Sequence, residues 1–151
     1  MNNDNKDNNN NNNSLKLENQ LCFPLYACSK EVIKKYKPFL DELDLTYTQY
    51  IAMLVLWEEN EINVKSLGEK LFLDSGTLTP LLKKLEEKEY IKRNRLETDE
   101  RNLIISITQK GKDLKLKAKD IPTEVGKCVN LTSDEAIQLY KLLYKVLKNF
   151  N

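Results

Sequence analysis

The segment from residue 62 to residue 111 constrains the fold most, because its hydrophobic spacing changes in a fixed order. From about Val64 to Phe72 the spacing is helical, and Val64, Leu67 and Leu71 share one face. The sequence LDSG then interrupts the pattern. Helical spacing returns after it, and the inner face carries Leu78, Leu81, Leu82 and Leu85. Two short helices joined by a tight turn predict a helix-turn-helix.

Two different residues can start the second of these helices. Asp74 can cap it, because a carboxylate accepts backbone N–H groups that the first helical turn leaves without partners. Alternatively, Thr79 caps it and Pro80 takes the first helical position, where a missing N–H costs nothing. The polar side chains outside the leucine face are Ser75, Thr77, Thr79, Lys83 and Lys84.

Strand periodicity follows the second helix. The sequences YIKRNRLE and NLIISIT flank a polar connection, TDER, and Leu103, Ile105 and Ile107 alternate with outward-facing residues. A period of two indicates a hairpin with one buried face. A helix-turn-helix followed by a hairpin is a winged helix, so the predicted fold class is mainly α with a small β-hairpin wing.

Helices are predicted on both sides of this segment. Upstream, one long helix extends from Leu15 to about Leu43, and Pro24 either kinks it or marks a later start. Its apolar stripe comprises Leu21, Leu25, Cys28, Val32 and Tyr36. A nearly apolar helix follows the Thr46/Gln49 capping box and is expected to form the core.

Downstream, a helix after Gly111 is interrupted at Pro122, and a last helix begins at the Thr132/Glu135 capping box. The apolar side of this last helix comprises Leu139, Leu142, Leu143, Val146, Leu147 and Phe150. The terminal helices therefore carry more apolar surface than a small DNA-reading core needs, and dimerisation would bury the excess.

These patterns give the predicted organisation of the chain. Residues 1–14 are an asparagine-rich tail that cannot bury apolar area and is expected to be disordered. Residues 15–151 form a single domain, in which residues 62–111 are the DNA-binding lobe. The dimerisation helices are expected at residues 15–45 and 112–151.

Composition excludes several classes of protein. Histidine is absent, which removes the usual general base, the Ser/His/Asp and Cys/His catalytic arrangements, and the commonest nitrogen ligand of zinc. The four glycines form no phosphate-binding loop, so we expect neither enzymatic activity nor a metal or cofactor. No apolar run reaches the roughly 18 residues of a membrane span, and the N-terminus lacks a secretory signal, so a cytoplasmic protein is expected.

The arginines are concentrated in the proposed wing. The net charge is only +1, so any DNA contact must come from a local arrangement of charge. All three arginines, Arg93, Arg95 and Arg101, lie within nine positions of one another, which suggests contact with phosphates or the minor groove. Asp99 could hold Arg101 in a fixed pose. The alternative is a solvated hairpin with salt bridges to Glu97, Asp99 and Glu100.

The polar residues of the second helix also allow two interpretations. Ser75, Thr77 and Thr79 could donate to phosphates or base edges, or they could simply cap the helix, and both roles can hold at once. Lys83 and Lys84 are interpreted as DNA-backbone contacts or plain surface.

Cys22 lies among apolar residues in the sequence LCFPLYACSK, and Tyr26, one helical turn later, is a further candidate residue of a redox-sensing site. A helix N-terminus and hydroxyl donors would favour a reactive thiolate, whereas an apolar pocket would favour a buried inert thiol. Cys28 lies 600° of helical rotation further on and is interpreted as packing. Three scattered cysteines are too few for a disulfide framework.

The sequences LDSGTLTPLLKKLE and DERNLIISIT resemble the MarR family of winged-helix repressors. The sequence from Leu21 to Tyr50 is similar to the family's organic hydroperoxide resistance branch, and the likeness extends from about Leu17 to Lys112. This resemblance implies a homodimer on a partly palindromic double-stranded operator, with recognition helices in major grooves and wings in minor grooves.

The resemblance also implies that Cys22 is the peroxide-reactive cysteine. Oxidation by an organic hydroperoxide would give a sulfenic acid, then a mixed disulfide with a small thiol or a bridge to a second cysteine, and DNA would be released. Tyr36 and Tyr47 would position the thiol across the dimer, since fourteen helical residues separate Cys22 from Tyr36 by about 21 Å. Cys128 is a candidate resolving cysteine.

Three other functions remain open from the sequence. In one, the protein is a repressor whose DNA binding is controlled by a small aromatic ligand. The ligand would bind between the dimer helices and the DNA-binding lobe, and the cysteine would be incidental. A thiol peroxidase would need turnover with a reductant, and a protein-interaction module would show no salt-dependent DNA binding.

Overall fold

The computed structural model describes residues 13–96 and 99–150, with the backbone alone at residues 95, 96 and 99–102. The helices are α1 (Cys22–Glu42), α2 (Tyr47–Glu59), α3 (Val64–Leu71), α4 (Ser75–Glu87), α5 (Gln109–Ala118), α6 (Ile121–Lys127) and α7 (Ser133–Leu147). The strands are β1 (Glu61–Asn63), β2 (Ile91–Leu96) and β3 (Asp99–Ile107), and short 3-10 helices occupy Leu17–Asn19 and Lys148–Phe150. No helix of this described part is both long and apolar enough to cross a membrane. The asparagine-rich tail lies outside it as far as residue 12.

Helix α1 begins later than the sequence pattern predicts. The expected start at Leu15 is wrong, because the backbone of Gln20 is extended and separates the 3-10 helix from α1. Pro24 lies at the third helical position, where its missing N–H is tolerated. The later start offered by Pro24 is therefore confirmed, and Cys22 becomes the first residue of the helix.

Helix α2 forms the centre of the core. Its N-terminal capping box is confirmed: the Gln49 backbone N–H donates to Thr46 Oγ1 at 3.3 Å, and the Thr46 N–H donates to Gln49 Oε1 at 3.0 Å. Tyr50, Met53 and Leu56 are fully buried. This helix therefore supplies the surface on which the helix-turn-helix packs.

The helix-turn-helix is present where the sequence predicts it. Helix α3 buries Leu67 and also Gly68, where an added Cβ would lie 2.8 Å from the Leu73 carbonyl oxygen. Helix α4 is capped by Asp74, whose Oδ1 accepts the Thr77 backbone N–H at 2.8 Å. The alternative start at Thr79 is wrong, since Pro80 lies inside the helix.

The wing belongs to a three-stranded antiparallel sheet with strand order β1-β3-β2. Ile105 of β3 is buried and pairs with Ile62 of β1 on one side and Arg93 of β2 on the other. The predicted connection TDER is too long, because β3 already begins at Asp99. Strand β1 was not predicted, since three residues with one buried side chain are too short to show a period of two.

The structure divides into two compact units, of which one ends at Lys119 and the other begins at Asp120. In the first unit, Thr108 caps α5, and the Trp57 indole N–H donates to the Gly111 carbonyl oxygen at 2.8 Å. An added Cβ at Gly111 would lie 2.2 Å from the Tyr90 carbonyl oxygen, so this close approach requires glycine.

The second unit contains α6 and α7. Helix α6 carries Pro122 in its first turn, which explains the predicted interruption, and α7 begins at the predicted Thr132/Glu135 capping box. The Thr132 backbone N–H donates to the Glu135 carboxylate at 2.8 Å, and this hydrogen bond lowers the pKa of Glu135.

Candidate DNA-binding surface and thiol-sensing site

The polar face of α4 is exposed, as predicted. Its exposed residues include Ser75, Thr77, Thr79, Lys83 and Lys84. The Thr79 hydroxyl donates to the Ser75 carbonyl oxygen at 2.8 Å, and the Thr77 hydroxyl donates to Asp74 Oδ2 at 3.3 Å. Each hydroxyl has one proton to donate, so in this state each threonine hydroxyl has only acceptor lone pairs left for a further partner. Such hydroxyls suit donors on base edges better than phosphates, because phosphate oxygens are acceptors.

Arg93 is held by Glu86 of α4. Its Nε donates to Glu86 Oε2 at 2.7 Å, its Nη2 lies 2.6 Å from the same oxygen, and its backbone N–H donates to Glu86 Oε1 at 3.0 Å. These bonds hold the pKa of Glu86 below its usual value. One carboxylate therefore fixes the first wing strand to α4, and any DNA contact of Arg93 would share its guanidinium with Glu86.

The other wing residues are placed by backbone alone. Arg95 pairs with Leu103, and Asp99 pairs with Leu96 across the hairpin. Arg101 lies in β3. Their side chains fall outside the described part of the structure, so the DNA contacts of Arg95 and Arg101 and the bracing role of Asp99 stay predictions.

All three cysteines are exposed in the single chain. Cys22 is the first residue of α1, where the helix dipole favours negative charge, and Leu21 offers no side-chain cap. A buried Cys22 is therefore wrong for the isolated chain, and the reactivity of its thiol stays a prediction. The packing interpretation of Cys28 is wrong in the same sense, because the N-terminal half of α1 buries none of its residues and Leu40 is the buried residue of this helix.

Tyr36 and Tyr47 lie together at the other end of α1. Their ring centroids are 5.1 Å apart, and Tyr50 lies 5.7 Å from Tyr36 and 6.5 Å from Tyr47. Burial raises the pKa of Tyr36 and Tyr47, and it raises the pKa of Tyr50 to about 12. All three phenols therefore remain protonated at neutral pH and can donate hydrogen bonds. Tyr26 lies apart from them near Cys22, exposed, with Lys30 Nζ 5.9 Å from its ring centroid.

A pocket of about 310 Å³ opens beside this tyrosine cluster. Its lining residues are Ile33, Lys34, Lys37, Leu40, Asp41, Leu45, Thr46 and Tyr47. The lysines are paired: Lys34 Nζ lies 2.6 Å from Glu31, and Lys37 Nζ lies 2.8 Å from Asp41. With these charges paired, the isoleucine, leucine and tyrosine side chains make the interior suited to an apolar group.

The thiol and the tyrosines do not meet within one chain. Cys22 and Tyr36 occupy the same continuous helix, and fourteen residues at 1.5 Å each place them about 21 Å apart. The structure therefore brings Tyr36 and Tyr47 together and leaves Cys22 at a distance from both within one chain, and the positioning of the thiol by these tyrosines stays a prediction. Cys128 ends α6 in the other unit, where its Sγ lies 3.7 Å from the Glu124 carbonyl oxygen.

Comparisons with known proteins agree with this fold. Residues 34–118, more than half of the chain, match the model of the transcriptional regulator SarA/Rot family. The chain is 50% identical over 137 residues to the organic hydroperoxide resistance transcriptional regulator of Bacillus subtilis, covering 91% of this chain and 93% of that protein. It is 51% identical over 136 residues to the transcriptional regulator SarZ of Staphylococcus epidermidis, covering 89% and 92%.

A solved structure of reduced AbfR bound to DNA superposes with a TM-score of 0.74 at 36% identity, covering 95% of this chain and 99% of that one. The helix-turn-helix, the wing and the identity along the chain therefore all indicate the same family of proteins. The chain belongs to the SarA/Rot family of MarR-like winged-helix transcriptional regulators, which are DNA-binding proteins and not enzymes.

Proposed function

We propose that this regulator is a homodimeric repressor that senses organic hydroperoxides through Cys22 and releases its operator when that thiol is oxidised. The observation that carries the proposal is the separation of the site into two halves. A protonated tyrosine pair lines or adjoins an apolar pocket, while the exposed thiol lies about 21 Å away on the same helix. A second copy of the chain can bring its Cys22 to the Tyr36 and Tyr47 of the first.

The proposed chemistry needs one oxidant and one further thiol. The Cys22 thiolate attacks the terminal oxygen of the hydroperoxide, the O–O bond breaks, and the departing alkoxide takes a proton to become the alcohol. The sulfur is thereby oxidised to a sulfenic acid. Hydrogen bonds from the phenols of Tyr36 and Tyr47 would stabilise the departing oxygen. A second thiol then attacks the sulfenic sulfur, water leaves, and a disulfide forms.

DNA recognition is assigned to α4 and the wing. In this proposal, α4 enters the major groove with its Ser75–Thr79 end, and Lys83 and Lys84 approach phosphates. The wing residues Arg95 and Arg101 approach the flanking minor groove. A dimer would place two such units on a partly palindromic operator. The similarity to the Bacillus subtilis transcriptional regulator and to DNA-bound AbfR supports DNA as the partner, and the residue assignments are part of the proposal.

The test is an operator gel shift with wild type, Cys22→Ser and Cys28→Ser, each with and without cumene hydroperoxide. Cys28→Ser is the matched control, because it removes another exposed thiol of the same helix. We expect the oxidant to release the wild type and Cys28→Ser but not Cys22→Ser. Release of Cys22→Ser would contradict the proposal, as would an unresponsive wild type.

The route after sulfenic acid formation has its own test. If Cys128 resolves the sulfenic acid, Cys128→Ser will need an added small thiol for reversible release, whereas the wild type will not. Unchanged reversibility of Cys128→Ser without added small thiol would rule out Cys128 as the resolving cysteine.

The pocket favours a second candidate function. A volume of about 310 Å³ falls at the lower end of the range for small-molecule sites. If the protein is instead gated by a small aromatic ligand, a phenol will release wild type and Cys22→Ser from the operator equally, and the hydroperoxide will release neither.

A further inference from the structure

The corner between α1 and α2, which comprises residues Leu43–Thr46, has two sides. Leu45 and Thr46 line the pocket, together with Tyr47 directly after the corner. The corner is also tightly built, since Asp44 adopts a left-handed backbone with φ 52° and the Leu45 N–H donates to the Leu40 carbonyl oxygen at 2.9 Å. A change in the pocket therefore acts directly on this short segment.

The other two corner residues receive hydrogen bonds from the chain directly after α4. Lys88 Nζ donates to the Asp44 carbonyl oxygen and lies 3.1 Å from Asp44 Oδ2. The Tyr90 hydroxyl donates to the Leu43 carbonyl oxygen at 3.4 Å. These contacts join residues 44 to 47 positions apart in sequence. They connect the wall of the pocket to the end of the recognition helix.

The backbone carbonyl is the specific part of the lysine contact. The Asp44 carboxylate is 79% exposed, so its ion pair contributes little, whereas the Lys88 side chain is only 25% exposed. An ammonium group that donates to a carbonyl beyond a helix C-terminus also complements the negative end of the helix dipole. Lys88 is thus placed as a cap of α1, although it belongs to the end of α4.

The segment that carries Lys88 and Tyr90 is firmly attached to the DNA-binding lobe. The Tyr90 N–H donates to the Leu85 carbonyl oxygen at 3.0 Å, and the Tyr90 carbonyl oxygen accepts the Thr108 N–H at 3.0 Å. The Thr108 hydroxyl donates to the Glu89 carbonyl oxygen at 2.6 Å. A displacement of the corner therefore reaches α4, the sheet and the start of α5 through fixed backbone contacts.

We infer that Lys88 is a positioning residue that couples the sensor pocket to the recognition helix, with Tyr90 as its companion. The inference rests on the proposed function, because it assigns the means by which the state of the pocket changes the placement of α4. In this assignment Lys88 acts through its contacts with Asp44 and takes no part in the thiol chemistry. Its role is to hold α4 against the corner that forms one wall of the pocket.

The test compares the operator dissociation constants of reduced and oxidised protein, because their ratio is the coupling between the two sites. Lys88→Gln and Tyr90→Phe should reduce this ratio roughly threefold to tenfold, and Lys88→Arg should restore most of it. The rate of Cys22 sulfenic acid formation should stay unchanged. Lys117→Gln is the control, since it removes one exposed positive charge away from the corner. Equal ratios for Lys88→Gln and Lys117→Gln would overturn the inference.

A second measurement does not depend on oxidation. By reciprocity, operator binding must alter the corner if Lys88 couples the two sites. We expect operator DNA to slow amide hydrogen exchange of residues 43–47 in reduced wild type and in Lys117→Gln, but not in Lys88→Gln. If the oxidant has no effect on wild type while this protection holds, the coupling stands and the hydroperoxide assignment fails. If operator DNA leaves the corner unchanged in wild type, the coupling fails.

Discussion

Helices α4 and α7 use their apolar residues in opposite ways. In α4, the four leucines of the inner face are each at most 6% exposed. In α7, every large apolar side chain is at least 36% exposed. The apolar residues of α7 also cover more than half of the helix circumference at 100° per residue, which is more than one neighbouring helix can cover. The first helix is therefore fixed by its own chain, and the second presents a surface that a partner chain would bury.

The largest expected effect is on the α4 side of this comparison. Leu85 is fully buried, so Leu85→Ala should lower the free energy of unfolding by about 2–5 kcal/mol through lost burial and a residual cavity. Urea unfolding followed by circular dichroism measures the change. A loss below about 1 kcal/mol would mean that α4 is less firmly packed than its burial indicates.

On the α7 side, Leu142→Ala should act on assembly. Leu142 is 60% exposed in the single chain, and burying a leucine side chain contributes roughly 1.5–3 kcal/mol. The dissociation constant of the dimer should therefore rise at least tenfold in this variant. Sedimentation equilibrium measures the dissociation constant. Leu54→Ala is the control, because Leu54 is also exposed but lies in α2, outside the proposed dimer helices. Equal effects of the two variants would assign the interface elsewhere.

Substitutions at the N-terminus of α4 should change the unfolding free energy less, and they distinguish Asp74 from Thr79 as the capping residue. Asp74→Ala should cost about 1 kcal/mol of unfolding free energy, because the Thr77 N–H loses the carboxylate acceptor and keeps only the longer bond to the backbone carbonyl of residue 74. Thr79→Ala should cost less, since Thr79 lies inside the helix and bonds only to the preceding turn. Thermal unfolding of both variants measures the difference. The reverse order would restore Thr79 as the cap.

The smallest effect concerns the contact between α4 and the wing. Arg93 lowers the pKa of Glu86 in the folded state. The pair therefore stabilises the fold at pH values above the unfolded pKa of about 4.5, and this stabilisation is lost as the pH falls through the folded pKa. As the pH falls from neutral to below 4.5, the unfolding free energy of Glu86→Gln should therefore decrease less than that of the wild type. Solvent screening keeps the difference small, because the carboxylate is about a third exposed. Parallel pH profiles would show that the pair contributes nothing.

Local signals account for what the sequence predicted correctly. The capping boxes at Thr46 and Thr132 and the leucine spacing of α4 each involve residues within one or two helical turns, so they can be read from sequence. The sequence did not decide where α1 starts, because Pro24 is compatible both with a kink in a longer helix and with a later start. The exposed stripe around Cys28 has the same spacing as a buried one, because periodicity records which residues share a face and not what covers it.

Long-range contacts account for what the sequence did not predict. Strand β1 is defined by its pairing with β3 more than forty residues later. Glu86 joins α4 to Arg93 of the first wing strand, and Lys88 joins the end of α4 to Asp44 of the distant corner. No rule of sequence spacing links such residues. The pocket likewise exists only once the end of α1 and the start of α2 are folded against each other.

Trp57 gives the protein a built-in optical signal. It is the single tryptophan of the chain, its ring centroid lies 6.2 Å from that of Tyr50, and its indole N–H is bonded to the start of α5 at Gly111. Excited tyrosines of the cluster beside the pocket can transfer energy to this indole, and its emission depends on the hydrogen bond to α5. Intrinsic fluorescence therefore reports on the junction between the pocket and the DNA-binding lobe without any label.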